Sequence, residues 1–134
     1  MSRGLDNCNP GNIRISPTHF RGEVQPSRDK SFKQFISMAY GYRAMFKLLD
    51  TYAKRYNLNT IRTMIARYAP SSENFTEGYI RFVAAASGID ADRHIDTRSE
   101  RDMVAIVAAM SKIENGESAN LADVNEGWRL FMEG

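Results

Sequence analysis

Carboxylates are the residues of this 134-residue chain best placed for chemistry, and Glu114 stands out among them. In the stretch MVAIVAAMSKIENG (103–116), Met103, Val107 and Met110 recur at helical spacing, and the next member of that apolar row is Glu114. Asn115-Gly116 follow, the usual signal for a helix end. A carboxylate that closes a buried stripe in a last helical turn is partly desolvated and lies beside unpaired carbonyls; both influences favour the protonated form, as a general acid requires. The same pattern also fits a solvated Glu114 on a frayed helix end. Glycoside cleavage needs a neutral acid and usually a second carboxylate. Glu23, in FRGEV (20–24), is the candidate for that second role, with a surface hairpin residue as its plain alternative.

Other chemistries find little support. His19 and His94 stand alone, without cysteine partners or an HExxH motif, so no metal site is expected. Cys8 has no nucleophile motif around it, no G-x-S-x-G elbow occurs, and Gly4 and Gly11 are too far apart for a dinucleotide loop. No cofactor is expected.

The elements that must position these carboxylates follow from patterning. Residues 3–14, RGLDNCNPGNIR, are dense in Asn, Gly and Pro and read as a structured loop with no helix. Between about 13 and 36, short alternating segments broken by Pro17, Gly22 and Pro26 read as a two- or three-stranded antiparallel lobe. Thereafter the chain is helical. Ser37 caps a helix ending at Asn57, and Thr60 caps one stopped by Pro70. Asn74 and Glu77 have capping-box spacing before a helix to Gly88; Ser99 opens the Glu114 helix, and Asn120 caps the last. A short helical turn is expected near 90–94. The sum is one mainly α (α+β) domain over residues 1–134.

Composition sets bounds. Apolar residues make up 43% and charged residues 25%, an ordinary globular balance, and a single cysteine excludes an internal disulfide. No apolar run is long enough to span a bilayer and the N-terminus lacks a signal-peptide core, so no membrane partner is expected. Net charge is +2, but it is unevenly spread: residues 1–67 hold 12 Lys/Arg against 4 Asp/Glu, and residues 68–134 hold 6 against 12. A basic first half suits an anionic polymer; no recognition-helix motif accompanies it, so nucleic acid is not the expected partner.

Five ordered blocks carry a resemblance across nearly the whole chain: RGLDNCNPGNIR (3–14), FRGE (20–23), FKQFISMAYGYRAM (32–45), RYAPSSENFTEGYI (67–80) and KIENG (112–116). They resemble phage virion-associated and endolysin-like proteins of the lysozyme-like superfamily. More distantly, the pieces look like those of bacterial wall glucosaminidases and lytic transglycosylases in rotated order. Asn9-Pro-Gly-Asn-Ile-Arg14 is similar to the Asn-x-Phe-Gly-Ile-Lys-type loop that follows their catalytic helix, Phe20-Arg-Gly22 to their lobe, and Ile113-Glu-Asn-Gly116 to the catalytic helix end, moved from the front of the chain to the back. The resemblance implies a lysozyme-like helical domain, circularly permuted, that cleaves peptidoglycan glycan strands as a muramidase or lytic transglycosylase. Glu114 would then be the general acid/base. Tyr68, Asn74 and Tyr79 would line or order a sugar groove, and Asn9, Asn12 and Arg14 would meet acetamido and lactyl groups. It further implies a monomer or a part of a phage particle, made in the bacterial cytoplasm and delivered to the wall by a virion, a holin or another export route. A phage structural or wall-binding module with the same fold is the alternative. Pro70-Ser71 stand where the glucosaminidases carry an aspartate, so no role of that aspartate transfers. Permutation makes one geometric demand: Glu114 must face both the loop 9–14 and Tyr79 across one groove.

Overall fold

A computed structural model describes residues 2–71 and 75–134. The chain forms a mainly helical domain with one small antiparallel sheet. Its elements run α1 (Arg3–Asp6), β1 (Glu23–Val24), β2 (Gln34–Phe35), α2 (Met38–Tyr56), α3 (Ile61–Tyr68), α4 (Thr76–Ser87), α5 (Glu100–Asn115) and α6 (Leu121–Glu133).

Helix boundaries follow local chemistry. The Ser37, Thr60, Ser99 and Asn120 side chains each accept a backbone N–H of the first turn that would otherwise lack a partner. Asn57, Gly88 and Gly116 end α2, α4 and α5 in the left-handed conformation, at φ 56°, 73° and 75°.

Helix α2 is the hub, because it packs along α6 and across α5. Phe46 meets Trp128 edge-on at 5.1 Å and stacks on Phe131 at 6.0 Å. The α2–α6 approach is close at Gly127, where a Cβ would stand 2.6 Å from the Cβ of Tyr42. The buried Tyr42 hydroxyl pairs with Ser111 Oγ of α5 at 2.8 Å, so a polar group inside the core keeps a partner.

The N-terminal segment folds back onto the end of α5. Ser2 Oγ donates to Asn115 Oδ1 at 2.7 Å, and Asn115 Nδ2 donates to the Pro10 carbonyl at 2.7 Å. The β lobe then branches from this junction. Glu23 pairs with Phe35 and Val24 with Gln34, while Arg14 and Phe32 form an isolated antiparallel bridge.

Three local expectations need correction. Residues 3–6 form a one-turn helix, α1, where a loop was expected; Ser2 caps it by accepting the Leu5 N–H at 3.2 Å, and so short a helix shows no periodicity. Residues 90–94 make hydrogen-bonded turns and no helix, with Asp90 Oδ1 accepting the Asp92 N–H at 2.9 Å. Helix α4 has Phe75 at its N-cap, without a side-chain cap bond, where the spacing put Asn74. Asn74 and Glu73 lie outside the described residues.

Candidate active site

Helix α5 buries Met103, Ile106, Val107 and Met110, and Glu114 follows one turn beyond Met110 on the same face. There the core opens into a cleft of about 380 Å³, which Glu114 lines together with Gly11, Asn12, Arg14 and Phe32 of the N-terminal segment and lobe and Leu48, Tyr52, Tyr68 and Pro70 of the helical part. That volume falls within the range of small-molecule sites.

Two donors grip the Glu114 carboxyl. Asn12 Nδ2 donates to Oε1 at 2.9 Å, and the Tyr79 hydroxyl donates to Oε2 at 3.0 Å. Asn12 also reaches the Glu114 carbonyl at 3.3 Å, satisfying an acceptor left over at the helix end. Burial raises the Glu114 pKa above its ordinary value, and the hydrogen bonds from Asn12 and Tyr79 only partly oppose it. The demand that Glu114 face both the loop 9–14 and Tyr79 is therefore met by direct contact.

Asn12 reaches Glu114 because its backbone is left-handed, at φ 48°, a conformation asparagine tolerates better than most residues. The loop is pinned from below. The Tyr68 hydroxyl donates to the Gly11 carbonyl, and Gly11 must be glycine because a Cβ there would strike the Tyr68 hydroxyl and Met45. Burial pushes the Tyr68 and Tyr79 hydroxyls well above their ordinary range, and the nearby Glu114 adds to the shift. Both phenols therefore stay protonated and keep donating.

The other expected residues divide. Arg14 lines the cleft, its guanidinium 5.2 Å from the centre of the Phe32 ring. Asn9 does not present its amide to a ligand. It is fully buried, donates from Nδ2 to the Ile13 and Lys33 carbonyls at 2.9 Å each, and accepts the Ile13 N–H at 2.9 Å. These bonds use its side chain to shape the loop that carries Asn12. Asn74 lies outside the described residues.

Glu23 is not brought to the cleft. Its carboxylate contacts Lys33 Nζ at 3.0 Å, accepts the Phe20 N–H at 3.0 Å and meets His19 Nδ1 at 3.3 Å. The Lys33 side chain is 0% exposed, and its ammonium also donates to the Thr18 carbonyl at 2.8 Å. Burial works to raise the Glu23 pKa, but the Phe20, Lys33 and His19 contacts outweigh it and the net shift is downward. Glu23 is thus the ionised counterion of a buried lysine and is not among the residues that line the cleft with Glu114, where the expected second carboxylate would stand.

Sequence reasoning missed Tyr52 and Asn115. Tyr52 reads as one more member of the apolar row of α2, and nothing local marks the cleft its ring lines. Asn115 reads only as part of a helix stop; its clasp on Ser2 and Pro10 spans over a hundred positions and has no local signature.

No family model matches the chain. It is 38% identical over 120 residues to Protein P5 of Pseudoalteromonas phage PM2, a match that covers 87% of this chain and 73% of that protein. Identity at that level over most of both chains means that this protein belongs to the family of phage Protein P5.

Proposed function

We propose that this phage-family protein cleaves the glycan strands of peptidoglycan between N-acetylmuramic acid and N-acetylglucosamine, with Glu114 as general acid/base. The observation that carries the reading is a single carboxyl whose pKa is raised by burial, held at both oxygens, on the wall of an aromatic cleft. Asn12 and Tyr79 already occupy a lone pair on each oxygen. A proton on Glu114 is thereby left to point into the cleft, toward the glycosidic oxygen of a bound strand. Once it is given up, the same two donors stabilise the carboxylate, which then accepts a proton from the attacking hydroxyl. Tyr52, Tyr68 and Phe32 supply flat apolar faces of the kind that stack on sugars.

Under this proposal the domain is a circularly permuted lysozyme-like fold. The support is that Asn12, near the start of the chain, and Glu114, near its end, share one site. Permutation is tolerated where chain ends lie together at a surface.

One observation favours a second reading, a wall-binding module without activity: Glu114 is the one carboxylate among the described residues lining the cleft. The test is Glu114→Gln in a turbidity assay on purified cell walls, paired with co-sedimentation. The proposal expects wild type to clear the suspension and Glu114→Gln to bind walls without clearing them. A wild-type protein that sediments with walls but never clears them establishes the binding module instead.

A further inference from the structure

The cleft has a charged continuation that the acid chemistry leaves unused. Arg67, an exposed residue near the end of α3, lays its guanidinium 4.0 Å from the centre of the Tyr56 ring and 5.3 Å from that of Tyr52. Tyr52 is a wall of the cleft, whereas Tyr56 is 46% exposed one turn further along α2. A second pair in the cleft lining has Arg14 over Phe32, a ring that Arg3 also approaches at 4.7 Å. Neither arginine has a carboxylate partner among the described residues, although Arg3, Arg62, Arg93 and Arg129 each have one. An aromatic face restrains a guanidinium; Arg67 also hydrogen-bonds the Tyr52 hydroxyl, and the remaining N–H groups of its planar edge match a carboxylate.

We propose that Arg67, seated on Tyr52 and Tyr56 and acting with Arg14 on Phe32, recognises carboxylates carried by the glycan strand and selects acidic strands over neutral ones. The inference rests on the reading of the cleft as a glycan site. Carboxylates on such a strand come from two sources, the lactyl group of muramic acid and the attached stem peptide. Arg67 is a specificity residue here, since it touches neither Glu114 nor the donors that hold it.

The test uses soluble strands in three forms: with stem peptides intact, with stems removed by an amidase so that lactyl carboxylates are free, and with all carboxylates converted to amides. Wild type is expected to show a KM on the amidated strands at least about threefold higher than on the acidic ones, with kcat little changed, the size of an exposed ion-pair contact. Arg67→Gln is expected to lose most of that preference, Arg14 retaining the rest, while matching wild type on amidated strands. A preference on intact strands, where the lactyl carboxyl is tied up as an amide, assigns the stem carboxylates; one on stripped strands assigns the freed lactyl carboxylate. Equal KM values for wild type and Arg67→Gln on every strand overturn the proposal, and so does an equal loss on amidated strands, which marks a structural defect. If wild type cleaves no strand, the glycosidase reading fails by itself. The carboxylate reading is then judged by comparing Glu114→Gln with the Glu114→Gln/Arg67→Gln double variant: weaker binding to acidic strands alone supports it, and identical binding overturns it.

Discussion

The Tyr79 hydroxyl donates to Glu114 Oε2 at 3.0 Å, joining the first turn of α4 to the last turn of α5. This contact, with its counterpart from Asn12, partly opposes the upward shift that burial imposes on Glu114. Removing it by Tyr79→Phe leaves burial less opposed, so the Glu114 pKa moves further up. The alkaline limb of kcat/KM is therefore expected to shift to higher pH, at a stability cost of about 1 kcal/mol for the lost bond. A pH–rate profile of wild type and Tyr79→Phe, with urea unfolding of both, checks the two effects.

Stability carries the same sign. Glu114 titrates higher in the folded chain than in the unfolded one, where its pKa is about 4.3. Between those two values the folded state holds the extra proton, so this group's contribution falls as pH rises through the window. Glu114→Gln has no such titration. The Tm of wild type minus that of Glu114→Gln is expected to be highest below pH about 4 and to decline above it. Thermal melts of the pair from acid to neutral pH read the difference directly, with the other titrating groups cancelling.

Asn12 separates backbone from side chain. At φ 48°, Asn12→Ala both loses the amide held against Glu114 and forces alanine into the left-handed region; Asn12→Gly loses only the amide. Asn12→Ala is expected to be less stable than Asn12→Gly by about 1 kcal/mol, while both raise the Glu114 pKa alike. Chemical denaturation and pH–rate profiles of the two variants test this.

The Glu23–Lys33 pair predicts a large effect away from the cleft. Glu23→Gln leaves the Lys33 ammonium, at 0% side-chain exposure, without its countercharge and is expected to cost about 3 kcal/mol or more. The double variant Glu23→Gln/Lys33→Met is expected to recover much of that loss. Its wall-clearing activity after refolding is expected to match wild type, because Glu23 does not reach the cleft.

The division between legible and hidden features follows the range of the interactions. Ser37, Thr60, Ser99 and Asn120 were legible as caps because a cap is satisfied within three residues of its own position. Glu114 was legible because a helical row ran into it and Gly116 closed it. The roles of Asn9 and Glu23 were not, since Asn9 bonds the backbone carbonyl and Glu23 the buried ammonium of Lys33, a residue that the fold of the lobe brings to both. Nothing in the periodicity of α2 distinguishes Tyr52 at the cleft from the enclosed Phe46 and Leu49.

The central claim is that Glu114 breaks a glycosidic bond. Its most direct test is mass spectrometry of the muropeptides released from purified peptidoglycan by wild type and by Glu114→Gln. Wild type is expected to release fragments cut within the glycan strand, with reducing ends if water attacks or 1,6-anhydro ends if the muramyl 6-hydroxyl does, and Glu114→Gln is expected to release none. Identical fragments from both proteins, or none from either, would contradict it.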